Sequence, residues 1–205
     1  MPRPRAADFD DKCRLLLDAG AELFARHGYD RSSINDIARA CGMSKTLVYH
    51  YYPSKERLLV GIIGRHLAEL VAAVETAARA APPGSRLGAI IQALLDAYRE
   101  TDALHRIHIN ELARLPTAAQ DELMSVERQL VATFSAALAE AVPELAASPA
   151  LGPVTMSLFG MLNWHSMWFR PDGPLSREAY AELVTRLILA GARDVAAPPR
   201  RIAAE

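Results

Sequence analysis

The sequence predicts an all-α fold, and three observations predict it. Ala and Leu dominate a chain of 205 residues in which 51% are hydrophobic. β-branched and aromatic runs are scarce, and apolar residues recur at helical i, i+3 and i+4 spacing between Gly and Pro breaks. So apolar a chain can bury a core, which argues against wholesale disorder. The expected architecture is a three-helix N-terminal unit followed by a larger helical domain, about nine helices together.

Residues 8–28 carry apolar positions at Phe9, Cys13, Leu16, Leu17, Gly20, Leu23 and Phe24, the pattern of an amphipathic helix, with Gly28 as its stop. Ser33-Ile-Asn-Asp36 reads as a capping box for a second helix whose inward face is Ile34, Ile37 and Ala38. Gly42 interrupts that helix, Ser44 caps a third, and Pro53 ends it. A helix, a tight turn through Cys41-Gly42-Met43 and a second short helix make a helix-turn-helix. Ser54 caps a fourth, long helix with Leu58, Leu59, Ile62, Ile63, Leu67, Leu70, Val71 and Val74 along one stripe. After the break at APPGS (81–85), helices are expected near 86–100, 102–114, 118–142, 151–169 and 176–194, punctuated by Pro116, Pro143, Pro149 and Pro171-Asp-Gly-Pro174. The division expected is 1–54 for the helix-turn-helix domain, 55–195 for a second, larger helical domain, and 196–205 for a disordered tail.

The formal net charge is −1, but it is unevenly spread. Residues 1–60 hold 10 Lys/Arg against 8 Asp/Glu, and no acid occurs from Arg39 to Lys55. A phosphate-binding surface needs such a local patch rather than a basic chain. Cys13 and Cys41 have neither zinc-ligand spacing nor a disulfide framework, so buried thiols in a reducing, cytoplasmic setting are expected. The start MPRPRAADFDDK lacks the apolar stretch of a signal peptide. LGPVTMSLFGMLNWHSMWF is uncharged, yet Pro153, Asn163, His165 and Ser166 interrupt it, which fits a core or dimer-interface helix better than a membrane span.

In a helix-turn-helix the second helix enters the major groove with its N-terminal residues toward the base edges. Ser44, Lys45, Thr46 and Leu47 occupy that end. Tyr49 and Tyr51 can donate to phosphate oxygens, and Lys55 adds a charge-assisted contact. Val48 and Tyr52, four apart, share the inward face. His50 has no role assigned by spacing alone.

The run AGAELFARHGYDRSSINDIARACGMSKTLVYHYYPSKERL resembles the DNA-binding signature of TetR-family transcriptional regulators, without gaps over residues 19–58. The resemblance implies an all-α homodimer of nine or more helices whose C-terminal domain binds a small molecule that releases double-stranded operator DNA. By matching position it makes Ser33, Ser44, Lys45, Leu47, Tyr49, Tyr51 and Lys55 candidate DNA contacts; Thr46 joins them from the reading end of the helix, and His50 is a candidate with no role of its own assigned. Thr46 stands where the family often has glycine, and Tyr51 where it usually has histidine, which bears on base preference rather than fold.

LFGMLNWHSMWFRPDGPLSREAY (158–180) resembles the branch that responds to acyl-CoA thioesters, including repressors of fatty-acid, phenylacetate and steroid-ring degradation. The resemblance implies an aryl- or acyl-CoA effector, phenylacetyl-CoA first, and a catabolic operon. Asn163, Trp164 and Trp168 are candidate ligand contacts, since two indoles four residues apart can stack on a ring and donate to carbonyls; they can equally pack a core or dimer bundle. Arg170 can meet a CoA phosphate or cap its helix. His105, His108 and Glu111 have the spacing for a shared metal, but no further ligand motif accompanies them, so a cavity lining or polar network is expected and no metal. Arg99, Arg106 and Arg114 can neutralise phosphates or form a solvated face.

No nucleophile elbow, P-loop or dinucleotide fingerprint is present, so no enzyme and no cofactor is expected. The alternatives are a drug-sensing repressor of an efflux pump, which needs acidic groups for cations, and, more distantly, an all-α acyl-CoA-binding enzyme.

Overall fold

Two glycines at positive φ, Gly28 (+80°) and Gly42 (+63°), turn the chain between its first three helices; side chains other than glycine are strained there. The computed structural model describes residues 4–99, 101–170 and 172–197; the expected tail lies outside these from residue 198. Its helices are α1 (Pro4–His27), α2 (Ile34–Ala40), α3 (Lys45–Tyr51), α4 (Lys55–Ala80), α5 (Arg86–Arg99), α6 (Asp102–Glu111), α7 (Thr117–Ala141), α8 (Leu151–Trp168) and α9 (Arg177–Ala196). Among the described residues these nine, with 3-10 turns at Leu112–Arg114 and Pro143–Leu145, make up the regular structure. The helix expected over 102–114 thus ends in a tighter turn, Leu115 N–H bonding to the Leu112 carbonyl ahead of Pro116. No described helix is long and apolar enough to cross a membrane.

Contacts group the chain into two compact units. The first joins the described residues up to Ala68 with Thr101–Val126. Leu16, Phe24, Ile37, Val48, Leu58 and Ile62 are its fully buried centre, each worth about 1.5–3 kcal/mol of transfer free energy. α1 and α4 approach closely: a Cβ on Gly20 would come 3.0 Å from Ile62 Cδ1, and one on Gly61 would come 3.0 Å from both Leu17 and Tyr52. Phe9, expected inward, is 44% exposed at the helix start, though its ring lies 4.8 Å from that of Tyr51.

The second unit joins residues 69–99 with 127–197. α5 and α9 pack along each other, with α8 against both. Ile90, Ile91, Leu94, Phe134, Leu158 and Leu162 fill the interior. Polar anchors fix the helices: buried Arg177 donates to the Leu95 carbonyl at 2.9 Å, Tyr98 OH to Asn163 Oδ1 at 2.9 Å, and Tyr180 OH to the Met161 carbonyl at 2.9 Å. Arg86 pairs with Glu140 and donates from Nε to the Ala78 carbonyl at 3.0 Å.

Candidate functional site

The capping box forms at α2. Asp36 N–H donates to Ser33 Oγ at 3.2 Å, while Ser33 donates its hydroxyl (2.6 Å) and its backbone N–H (3.2 Å) to the Asp36 carboxylate. The Ser33 hydroxyl hydrogen bond, first, holds the Asp36 carboxyl below the usual range. Ser33 therefore reaches a phosphate only by sharing that donor. Ser44 caps α3, accepting from Leu47 N–H at 3.2 Å.

α3 has two faces. Val48 is completely buried, and Tyr52 just beyond the helix is half-buried, its phenol pushed up to about 12 by burial and then by nearby Cys13. Ser44, Lys45, Thr46, Tyr49 and His50 are exposed, Leu47 half-so. Lys45 Nζ stands 5.7 Å from the centre of the Tyr49 ring. This outward face offers donors and one fixed cation, which suits phosphates and base acceptors.

Two expected contacts have structural partners as well. Tyr51 is half-buried against Phe9, with His50 edge-on at 5.6 Å. Lys55 Nζ lies 4.2 Å from the centre of the Tyr29 ring and donates to the Asp30 carbonyl at 3.4 Å. Beside α2, a depression of about 480 Å³ is lined by His27, Arg31, Asp36 and Arg39. Both thiols are half-buried rather than buried, and desolvation raises both.

In the first unit, His105 and His108 are buried, and a third imidazole joins them. His66 of α4 is 1% exposed, with ring centres 6.3 Å and 6.5 Å from those of His105 and His108, which are 6.2 Å from each other. Sequence spacing between His105 and His108 does not reach His66, yet His66 falls on the inward stripe of α4 beside Ile62, Ile63 and Leu70, and that stripe is the signal for it. Burial first, then the two neighbouring imidazoles, lowers His66 to about 3. Glu111 is turned to Arg114 at 2.9 Å, away from metal duty, and no group fit to hold a metal occurs among the described residues. Arg114 also grips Asp30 with two bonds of 2.9 and 3.0 Å.

In the second unit, Arg99 is paired with Asp96 (2.8 Å) and Glu178 (2.9 Å), and Asn163 accepts from Tyr98. Trp164 is 65% exposed, which removes the core-packing reading for it. Trp168 is edge-on to His165 and Tyr180, and Arg170 is exposed beyond the helix end. His165 itself is buried and stacked between Phe169 and Tyr180, lowered to about 4 by burial and then by Arg177.

The exposed side of this unit carries two apolar stripes: Met156, Gly160, Trp164 and Met167 on α8, and Leu183, Leu187, Gly191 and Val195 on α9. A Cβ on either glycine would meet nothing within 4 Å.

Comparison with known proteins matches two stretches of the chain. Residues 16–62 match bacterial regulatory proteins of the tetR family, and residues 80–192 match a tetracyclin repressor-like C-terminal domain. A TetR-family transcriptional regulator from Bordetella parapertussis 12822 has 34% identity and a TM-score of 0.75, covering 86% of this chain and 93% of that one. AibR, in complex with isovaleryl coenzyme A and operator DNA, has 26% identity and a TM-score of 0.74, with coverage of 86% and 98%. The HTH-type transcriptional activator FasR of Mycolicibacterium smegmatis is 27% identical over 177 residues, 84% of this chain and 79% of FasR.

Proposed function

The chain belongs to the TetR family of transcriptional regulators, and from that premise we propose that it is a dimeric repressor released from its operator by an aryl- or acyl-CoA thioester, phenylacetyl-CoA first. The observation that carries the effector class is the likeness to AibR, whose structure holds isovaleryl coenzyme A together with operator DNA.

Ser44, Lys45, Thr46 and Leu47 read bases, with His50 at the edge of the same face. Ser33, Tyr49, Tyr51 and Lys55 position the phosphate backbone. The outward donors of α3 support this division, because phosphate contacts fix register while base-edge contacts specify sequence. Asn163 and Arg170 of the second unit are the proposed contacts for the thioester's polar end. The dimer joins the apolar stripes of α8 and α9 to those of a second copy. Release requires the effector to bind the DNA-incompetent form more tightly, since a ligand shifts an equilibrium only by its differential affinity.

The test is an operator-binding titration by fluorescence anisotropy on DNA selected from random sequence. Phenylacetyl-CoA and isovaleryl-CoA should raise the operator Kd, with free coenzyme A inactive. Release by lipophilic cations and not by thioesters would replace this reading with that of an efflux-pump regulator. A promoter–reporter assay fixes the sign of control: added effector should raise expression.

A further inference from the structure

A cavity of about 220 Å³ opens between the end of α1 and α6. It lies wholly within the first unit, and its residues are drawn from 24–29 and 103–111. Its floor is apolar, formed by buried Phe24 and Ile107 with Ala103, and its rim carries Tyr29, Arg106 and Asn110. We propose that this cavity is a second small-molecule site, taking an amphipathic monocarboxylate of about one ring plus its acid group, with Arg106 as the partner of the anion.

Volume sets the size of the ligand. An apolar cavity of about 150 Å³ holds benzene, whereas pockets for drug-sized ligands run from about 300 Å³ upward. A thioester of coenzyme A does not fit, but a benzoate or phenylacetate does, so the site is separate from the effector reading above.

Charge sets its sign. The two ionised groups on the lining are Glu111 and Arg106. Glu111 is bound to Arg114, which also grips Asp30. Arg106 forms no ion pair among the described residues, so the charge awaiting a counter-ion is positive. A guanidinium takes a carboxylate through two parallel N–H bonds, and the Asn110 amide can add a donor beside it. The Phe24 and Ile107 floor then takes the ring.

Position sets the consequence. Tyr29 lines the cavity and lies beneath the Lys55 ammonium. Its neighbour Asp30 is held by Arg114 and leads within three residues to the Ser33 cap of α2. A ligand bridging Tyr29 and α6 therefore bears on the loop that positions the helix-turn-helix.

The full chain should be titrated calorimetrically with benzoate and phenylacetate, against the uncharged benzamide and phenylacetamide. Arg106→Gln removes the anion partner, and Ala103→Phe fills the floor; circular dichroism checks that both variants keep their helices. The carboxylates should bind, the amides about tenfold more weakly or not at all, as one charge-assisted bond predicts. Arg106→Gln should lose the same factor for carboxylates and nothing for amides, and Ala103→Phe should bind neither. Equal binding of acid and amide, unchanged carboxylate affinity in Arg106→Gln, binding that survives Ala103→Phe, or no heat with either acid at millimolar concentration would each overturn the proposal.

Discussion

The Lys55 ammonium sits over the Tyr29 ring, 4.2 Å from its centre, and donates to the carbonyl of the very next residue, Asp30. One cation thus ties the start of α4 to the loop between α1 and α2. By its place in the motif, Lys55 is also a candidate phosphate contact. An ammonium has three donors, so the structural bond and a phosphate bond are compatible.

Lys55→Ala should therefore act twice. Loss of the cation–π contact should lower the unfolding free energy by about 0.5–1 kcal/mol, measured in urea. Loss of a phosphate contact should reduce the slope of log K for operator binding against log salt by about 0.9. A lowered stability with an unchanged salt slope would confine Lys55 to holding the loop.

Lys45 and Tyr49 separate charge from hydrogen bonding on the α3 surface. Lys45→Ala should reduce the salt slope by about 0.9. Tyr49→Phe removes one neutral donor from a 40% exposed side chain. It should weaken operator binding by about 0.5–1.5 kcal/mol and leave the slope alone. Anisotropy titrations over a range of salt read both; wild-type affinity in both variants would remove α3 from the DNA surface.

Most of the fold was legible because helix ends are written in short-range chemistry. Ser33, Ser44, Ser54 and Ser176 each accept a backbone N–H at the start of a helix, and such caps need only three residues of context. Apart from Phe9 at the start of α1, the inward faces of α1–α4 follow from spacing for the same reason. What escaped was tertiary. No local pattern says that His66 meets His105 and His108, or that Arg114 reaches Asp30 rather than a ligand phosphate. Likewise, periodicity makes Trp164 apolar but cannot say whether the core of this chain covers it; its 65% exposure shows that it does not.

His66 predicts a pH dependence with a definite sign. Its folded pKa is about 3, against about 6.5 for an unperturbed histidine. Between those values the unfolded chain binds the extra proton, so stability is complete above about 6.5 and is lost as pH falls toward 3, by at most about 1.4 kcal/mol per pH unit. His66→Leu should flatten the urea midpoint between about pH 4 and pH 7 by up to one proton's worth of slope. Part of the acid sensitivity should persist, since His165, at about 4, titrates by the same logic in the second unit. A variant as acid-sensitive as the wild type would show that His66 is protonated when folded.

The apolar stripes of α8 and α9 predict the oligomer. Leu183, Leu187, Gly191 and Val195 recur every four residues, and Met156, Gly160 and Trp164 do the same on α8. Leu187 is 55% exposed and Trp164 65%, an outward display of large apolar groups that marks an interaction surface. The open space at Gly160 and Gly191 lets a second backbone approach closely. A stable interface buries about 1,200–2,000 Å² in all, and inserting a charge at its centre leaves that charge desolvated and unpaired. Leu187→Glu should therefore sediment as a monomer at concentrations where the wild type is a dimer, and lose operator affinity with it, because two half-sites are then bound independently. Met124, 41% exposed on α7, lies off both stripes, so Met124→Glu should change neither. Leu187→Glu remaining a dimer would place the interface on another surface of the chain.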